Sequence, residues 1–240
     1  MAKVTQVGEA PKASGVKAWS WSVLQQYETC PRQTYYSKIQ KVEIPKAAAL
    51  AKGIKAHEEL EACLKDHSLP CPEVAMPIEV QLERLRMDGA IPELEIAFDK
   101  DWKACDWFAK NCWLRIKVDA IVPPTIDGGA RVHIVDWKTG KVKQDHSDYD
   151  DQLELYMLAA LLMYPTAEQA EASLIFVEHG VVLEGDDVMT RDMIPAAKAK
   201  WENRVKPLLV DETFAPRPSG FSCRYCDLGK AAGCEYAQAR

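Results

Sequence analysis

The stretch RVHIVDWKTGKVK, residues Arg131–Lys143, joins an apolar segment to a pair of opposite charges. Its first half predicts a short buried β-strand. Because side chains alternate between the faces of a strand, Asp136 and Lys138 project together while Trp137 points away. A carboxylate so placed can hold a divalent cation, and an ammonium group can stabilise the charge that develops in phosphodiester hydrolysis. Alone, D-x-K also describes a solvated strand end, so the assignment depends on the neighbouring sequence.

The preceding apolar run, WLRIKVDAIV (Trp113–Val122), predicts a hairpin with this strand, because Pro-Pro and Asp-Gly-Gly separate the two. A turn centred on Asp127-Gly128 pairs residues whose numbers add up to 255, so that Asp119 faces Asp136. Like charges in opposition destabilise a sheet unless something neutralises them. A bound Mg²⁺ or Mn²⁺ would do so; the alternative is two exposed acids on a hairpin.

Composition places the chain among ordinary globular proteins, with 240 residues, 48% hydrophobic content and 28% charged content. No apolar run is long enough for a bilayer, and the N-terminus lacks a signal-peptide core, so we expect a cytoplasmic protein without membrane contact. The eight cysteines are then thiols or metal ligands rather than disulfides. A net charge of −6 argues against a protein that coats DNA, although an enzyme needs only a local basic groove.

Pattern changes along the chain predict three segments: a flexible N-terminus (1–18), a catalytic α/β domain (19–210) and a Cys-rich C-terminal segment (211–240) that packs near Cys30. The centre of the chain follows the order helix, three strands, helix and strand, which predicts an α/β core. One helix, at about 47–64, carries His57 on its apolar face, where a lone His is often only a packing residue. A second helix, at 148–164, places Gln152 and Tyr156 on one face, four residues apart.

Two helices are predicted near the N-terminus, one capped by Ser20 and one begun by Pro31. Aromatic and basic side chains follow on the second helix, and two lysines follow the D-x-K strand. These side chains are predicted to stack on bases and contact phosphates, although the tyrosines could equally pack the helix pair. The predicted DNA-binding residues are Arg32, Tyr35, Tyr36, Lys38, Lys41, Lys141 and Lys143.

The C-terminal segment contains Cys223-x-x-Cys226 followed by Cys234, and this spacing predicts three ligands of one metal centre. A four-coordinate site needs one more thiolate. Cys30, beside Pro31 at a helix junction, is the most economical fourth ligand. The remaining cysteines are interpreted as packing residues: Cys63, Cys71, Cys105 and Cys112.

The order of these motifs resembles the RecB-type branch of the PD-(D/E)XK nuclease superfamily. The resemblance rests on S-x-S-x-L-x-x-Y-x-x-C-P from Ser20 to Pro31, His57, Asp119, IVDWKTGK, Q-x-x-x-Y and C-x-x-C…C. It is nearest to the iron–sulfur exonucleases of CRISPR adaptation and the nuclease domains of bacterial helicase–nucleases. It implies a restriction-endonuclease-like core, a mixed central sheet flanked by helices. It also implies an iron–sulfur clasp, meaning a cluster that joins the two chain ends.

The resemblance also implies roles for particular residues. The metal ligands would be His57, Asp119, Asp136 and the carbonyl of Trp137. The catalytic set would be Asp119, Asp136, Lys138, Gln152 and Tyr156. A 4Fe–4S cluster would be bound by Cys30, Cys223, Cys226 and Cys234, with Zn²⁺ on the same thiolates as the alternative. Glu95 would correspond to an acidic residue that the family has on the strand before Asp119. Two departures are Ile116, where the family often has Gly, and a long gap between Cys226 and Cys234.

The function implied is that of a Mg²⁺- or Mn²⁺-dependent DNA exonuclease that prefers single-stranded ends. It would act in DNA recombination or repair, or in phage or CRISPR DNA processing, in a phage-infected or prokaryotic cytosol. By analogy, a single-strand-binding or annealing protein is a partner. The alternatives are a structure-specific endonuclease on the same core and a non-catalytic DNA-binding subunit with a structural cluster.

Overall fold

The structure is a computed structural model that describes residues 15–44, 48–124, 130–142, 147–184 and 188–237. The described residues form two compact units. The first unit combines the residues up to Ile44 with those from Glu202 onward, and the second runs from residue 48 to Trp201. The first unit therefore contains residues from both halves of the chain, whereas the second is one stretch of sequence.

The elements of both units are numbered here in chain order. They are α1 (Trp21–Thr29), α2 (Pro31–Thr34), α3 (Ala48–Lys65), α4 (Glu79–Met87), β1 (Ile91–Phe98), β2 (Leu114–Val122), β3 (Arg131–Lys138), α5 (Ser147–Met163), β4 (Gln169–Phe176), β5 (Val181–Glu184), β6 (Met189–Thr190), α6 (Ile194–Val210), α7 (Gly220–Arg224) and α8 (Asp227–Ala231). A π-helical turn, Tyr35–Ile39, continues α2, and a 3₁₀ turn, Glu73–Ile78, precedes α4.

The second unit is organised around a mixed sheet in which strands β1 to β5 are neighbours in chain order and β6 pairs with β4. Among the described strands, β3 and β4 run parallel and the other pairs are antiparallel. Strand β4 is apolar along most of its length, as expected of a strand covered on both faces. The predicted α/β class, a mixed central sheet flanked by helices, is confirmed.

The register between β2 and β3 is the one predicted from the Asp-Gly turn. Ala120 pairs with Val135 and Ile121 with Ile134, so the paired numbers add up to 255 as expected. The turn itself lies outside the described residues. The register matters because it sets Asp119 beside Asp136 and so positions the carboxylates of the site.

Apolar side chains cover both faces of the sheet. On one face Val135 and Trp137 of β3 pack with Leu60 of α3 and Leu82 of α4, all of which are buried. On the other face α5 packs against β3 and β4 through an almost wholly buried run that includes Leu158. Burying a side chain of this size contributes about 1.5–3 kcal/mol. Residues 132, 134, 136 and 138 of β3 therefore face α5, the helix that carries Gln152.

The first unit is helical. Ser20 caps α1, its hydroxyl accepting a hydrogen bond from the amide of Val23 at 3.5 Å, and Pro31 begins α2; both features were predicted. The hydroxyl of Tyr27 donates to Asp211 at 2.8 Å, which joins α1 to the segment after α6. Among the described residues, no helix is both long and apolar enough to cross a membrane.

Candidate active site

Asp119 and Asp136 lie on adjacent strands, as the hairpin prediction required. Asp119 does not share a ladder pair with Asp136; instead its Oδ2 accepts a hydrogen bond from the backbone amide of Trp137 at 2.7 Å. The ring of Trp137 is buried in the opposite core, so only its backbone is directed to the site. This bond fixes one oxygen of Asp119 and leaves the other free to face α3.

The other oxygen of Asp119 faces His57. Nδ1 of His57 lies 3.2 Å from Oδ1 of Asp119 and 3.9 Å from Oε1 of Glu93. One ligand atom from each of these three residues lies within 4.8 Å of the other two, and the side chains are half-buried. Among the residues that the structure describes, this is the group of nitrogen and carboxylate ligands that could hold one metal ion.

Glu93 was missed from the sequence, where Glu95 was the acid considered on this strand. Glu95 is exposed and pairs with Lys117 in the β1–β2 ladder, whereas Glu93 is half-buried beside His57. The backbone of Glu93 has a φ of 53°, a left-handed conformation that a residue with a Cβ adopts only at a cost. Glu93 interrupts the ladder opposite Asp119, and such strain is common at functional sites. Only the fold distinguishes the two acids, because both stand on the same predicted face.

Lys117 completes the surroundings of Glu93. Its ammonium group forms an ion pair with the Glu93 carboxylate, and this contact is the main reason that the pKa of Lys117 is raised. The side chain of Lys117 is half exposed, whereas that of Glu93 is 12% exposed. Two opposed acids, Glu93 and Asp119, are thus neutralised from one side by Lys117 and from the other by His57.

The predicted D-x-K pair is present in the structure. Nζ of Lys138 lies 2.5 Å from Oδ2 of Asp136, and this buried oxygen has no partner with hydrogen-bond geometry. Gln152 of α5 joins both groups: its Nε2 donates to Oδ1 of Asp136 at 2.9 Å, and its Oε1 accepts from Lys138 at 3.4 Å. Nε2 also donates to the Tyr156 hydroxyl at 2.9 Å. The Q-x-x-x-Y helix therefore orients the carboxylate and the lysine together.

Burial and neighbouring charge control the protonation of this site. Burial raises the pKa of Asp136, the charge of Asp119 raises it further, and Lys138 and His57 offset only part of this, leaving a pKa of about 6. Burial lowers the pKa of His57, but the hydrogen bond to Asp119 and the charges of Asp119, Asp136 and Glu93 outweigh it, so this pKa is raised. In both shifts a part comes from neighbouring carboxylates, and a cation would relieve that part.

The residues fit a divalent cation. Carboxylate oxygens suit Mg²⁺ and Mn²⁺, and an imidazole nitrogen in the set favours Mn²⁺ over Mg²⁺. His57, Glu93 and Asp119 would hold the ion. Asp136, which was also predicted as a ligand, is not in this group, and its Oδ2 is paired with Lys138. Tyr149, which sequence reasoning also missed, covers Lys138, with its ring centre 4.8 Å from Nζ.

The predicted DNA-binding residues are distributed over both units. In the first unit Lys38 and Lys41 are exposed, but Nε of Arg32 donates to the carbonyl of Phe214 at 3.0 Å. Tyr35 is half-buried and packs against Phe214, whereas Tyr36 is buried and its hydroxyl contacts Cys234. Tyr36 is therefore in no position to stack on a base. In the second unit Lys141 is exposed; Lys143 lies outside the described residues.

The four cysteines assigned to a metal centre line one pocket of the first unit. Three of the sulfurs accept backbone amide hydrogen bonds: Cys30 from Arg217 (3.4 Å), Cys223 from Ser219 (3.4 Å) and Cys226 from Gly229 (3.1 Å). A Cβ on Gly229 would stand 2.9 Å from the Cys226 sulfur, so only glycine permits that turn. Burial raises the pKa of Cys226, and the neighbouring thiols raise it further against the Gly229 amide.

The expected iron–sulfur clasp is nevertheless not shown. No three of these sulfurs, all in described parts of the chain, form a group within 4.8 Å of one another. Tetrahedral zinc, with Zn–S bonds of about 2.3 Å, needs sulfurs about 3.8 Å apart. The thiols therefore share a pocket without forming a compact zinc site. The other four cysteines lie in the second unit, among them Cys63, which is buried in its core.

A mixed sheet that presents two acids, a lysine and a cation-binding group at one place defines a class, the metal-dependent nucleases with a D-x-K centre. The sequence profile of the PD-(D/E)XK nuclease superfamily matches residues 74–231. The chain belongs to the PD-(D/E)XK nuclease superfamily. At this level the resemblance drawn from motif order is confirmed, and membership implies a nuclease that acts on DNA with a divalent metal.

Among solved structures, one described as "Crystal structure of SSO0001" is similar to the chain. The two share 14% sequence identity and a TM-score of 0.43, over 98% of this chain and 91% of that chain. At this TM-score the likeness adds no support to the assignment. No curated protein matches the chain.

Proposed function

We propose that this protein is a Mg²⁺- or Mn²⁺-dependent DNA exonuclease of the RecB-type branch. The observation that carries the proposal is the position of Lys138, held between Asp136 and Gln152 next to the cation-binding group. A lysine that is tied to a buried acid and an amide has a fixed direction. Such fixed groups stabilise developing charge without reorganising at the moment of reaction.

Each residue has a role that follows from its contacts. When bound, a divalent cation supplies Lewis-acid polarisation of the scissile phosphate and a nucleophilic water. His57, Glu93 and Asp119 hold that ion, and the Trp137 amide keeps Asp119 turned towards it. The ammonium group of Lys138 orients the attacking water or stabilises the charged phosphorane.

Gln152 and Tyr156 act on the orientation of those groups. Gln152 fixes both Asp136 and Lys138, and Tyr156 in turn fixes the amide of Gln152. Tyr156 is buried, so it acts through Gln152 rather than on the substrate. We assign the exposed Lys141 to phosphate contact near the site; Lys38 and Lys41 of the first unit are exposed and are proposed to contact DNA as well.

The proposal also includes a preference for DNA ends and for single strands, and a role in recombination, repair or phage and CRISPR DNA processing. It is supported by the order of motifs shared with iron–sulfur exonucleases. A single-strand-binding or annealing protein fits the same setting as a partner, because it would present the strand that the enzyme shortens.

We further propose that Cys30, Cys223, Cys226 and Cys234 bind a 4Fe–4S cluster. Two observations support this choice over zinc. The sulfurs are spread more widely around their pocket than a single ion requires. Three of them accept backbone amide hydrogen bonds, a contact that tunes iron–sulfur centres.

Incubation of the pure protein with Mn²⁺ and end-labelled DNA tests the function. Linear single-stranded DNA should be shortened from its ends, linear duplex more slowly, and closed circular single strands should remain intact. Asp136→Asn, purified in parallel, controls for a contaminating nuclease. Cleavage of the closed circles would favour the endonuclease alternative, and loss of all cleavage in fresh wild-type protein would favour the non-catalytic one.

A further inference from the structure

The loop between β1 and β2, residues 99–113, carries aromatic side chains in a fixed arrangement that the proposed catalytic residues do not use. Trp102 anchors the loop: it is buried, with its ring centre 6.2 Å from that of Phe98 and 5.2 Å from that of Trp113. Backbone bonds from Cys105 to Ala97 and from Trp113 to Phe98 fold the loop back against the sheet. The residues between these anchors are therefore held in place.

The tip of this loop presents an exposed aromatic ring beside a guanidinium group. Phe108 is 84% exposed, which no packing role explains. The guanidinium of Arg115 lies 5.7 Å from the ring centre of Phe108 and 5.6 Å from that of Trp107. Nε of Arg115 also donates to the carbonyl of Trp107 at 2.8 Å, which fixes its orientation. The three side chains, Trp107, Phe108 and Arg115, are called here the loop platform.

The loop platform stands in line with the cation-binding group. Side chains alternate along β2, so Arg115, Lys117 and Asp119 project from one face of the sheet, with the intervening residues buried in the core. Asp119 follows Arg115 by four steps along the strand, a distance of about 14 Å. The row therefore runs from an exposed aromatic ring, past two cations, to a residue of the proposed metal site.

The chemistry of this row matches a single strand of nucleic acid. Exposed aromatic rings stack on unpaired bases of any sequence, and guanidinium and ammonium groups contact phosphates. The loop itself has three lysines and three aspartates between residues 99 and 113, so it contributes no net charge. Attraction at the tip must then come from stacking, and phosphate contact from Arg115 and Lys117.

We propose that the loop platform binds an unpaired base of the substrate strand. Arg115 and Lys117 contact the phosphates that follow this base, so that the strand runs along β2 to Asp119. This inference rests on the proposed function and adds to it a route by which the strand reaches the site. A cation at Glu93 would also release Lys117 from its ion pair and leave its ammonium group to the phosphate. Metal and strand would then bind cooperatively.

The test measures binding of a fluorescent single strand to protein in the Asp136→Asn background, which prevents cleavage, with Mn²⁺ present. Phe108→Ala should weaken binding at least about fivefold, the lower end of what one stacked base contributes, with an unchanged salt slope. Arg115→Gln should weaken binding and reduce the slope by about 0.7, one phosphate contact. Phe221→Ala, an equally exposed Phe of the other unit, and Lys110→Gln, on the same loop, are the matched controls.

A second measurement keeps the two proposals separable. A strand carrying 5-iodouracil should cross-link on irradiation to Trp107 or Phe108, identified by peptide mass spectrometry. If wild-type protein cuts DNA but the cross-links map elsewhere and Phe108→Ala binds normally, the loop platform is wrong and the nuclease stands. If wild-type protein neither cuts nor binds DNA, the proposed function itself fails. Binding of a protein instead of DNA at Phe108 would likewise overturn the proposal.

Discussion

The ammonium group of Lys117 lies against the carboxylate of Glu93, on the strand that also carries Asp119. Lys117 therefore occupies one side of a group of ligands that fits a divalent cation. A positive charge already in contact with Glu93 must be displaced, at least in part, before a metal ion can use that carboxylate fully. The relationship predicts competition between a lysine and a metal.

Lys117→Met should accordingly increase the affinity for Mn²⁺, by up to about fivefold, since a half-exposed ion pair is worth up to ~1 kcal/mol. Isothermal titration of metal-free protein measures the change directly. Lys55→Met is the matched control, because it removes an exposed ion pair with Glu59 away from the ligand group. Equal affinities in wild type and Lys117→Met would show that the lysine does not compete.

Asp136 predicts a pH-dependent stability in metal-free protein. Its pKa is about 6 in the folded state against an ordinary value of 3.8, so the folded state binds more protons between these values. Stability from this group is therefore lost as pH rises from about 4 to 6 and stays lost above that range. The size of the effect is about 3 kcal/mol, since each unit of pKa corresponds to about 1.4 kcal/mol.

Asp136→Asn should then shift the urea midpoint upward at about pH 8 and much less at about pH 4. Unfolding in the presence of EDTA at both values measures this difference. Asp101→Asn, on an exposed loop, should show no comparable dependence on pH. An Asp136→Asn variant that is less stable than wild type at the higher pH would contradict the predicted cost of burying this charge beside Asp119.

The contacts of Gln152 predict that its substitution slows DNA cleavage without weakening metal binding. Gln152→Leu removes the bonds that orient Asp136 and Lys138, and misorientation of catalytic groups typically costs about 10²-fold in rate. Single-turnover cleavage measures the rate, and Mn²⁺ titration measures the metal. Tyr156→Phe, which leaves Gln152 in place, should have a much smaller effect. A wild-type rate of cleavage in Gln152→Leu would show that the Gln152 amide does not orient Asp136 and Lys138.

The 4Fe–4S cluster proposed for the first unit predicts that the pure protein is coloured. Anaerobically purified wild type should be brown with broad visible absorption, and Cys226→Ser should lose both the colour and thermal stability. The physical reason is that a cluster joining Cys30 to Cys226 closes a long loop, and such cross-links restrict the unfolded chain strongly. Colourless wild type with stoichiometric zinc would contradict the cluster. Cys105→Ser, whose thiol is remote from the pocket in sequence, serves as control.

The sequence alone predicted the β2–β3 register, the starts of the first two helices and the placement of Gln152 and Tyr156 on one helix face. Each of these depends on local periodicity or turn chemistry, which a sequence states directly. The sequence did not single out Glu93, because Glu93 and Glu95 lie on the same predicted strand face. Only the backbone conformation, in which Glu93 has a positive φ, distinguishes the two acids.

The structure of the loop between β1 and β2 could not be predicted for a related reason. It has no period, and its structure depends on the packing of Trp102 between two other rings, a contact that spans the hairpin. Tyr36 shows the opposite error: an aromatic residue in a basic segment was predicted to meet bases, but tertiary packing buries it beside Cys234. Long-range packing accounts for both.

The most direct test of the central claim is the Mn²⁺-dependent cleavage of end-labelled single-stranded DNA by wild type and Lys138→Met, prepared identically. The variant keeps every residue of the cation-binding group, so it should bind Mn²⁺ as wild type does. Its rate of cleavage should fall by about 10²–10³-fold, because a fixed charge on the developing phosphorane is lost. Cleavage by Lys138→Met at the wild-type rate, with Mn²⁺ bound, would contradict the account.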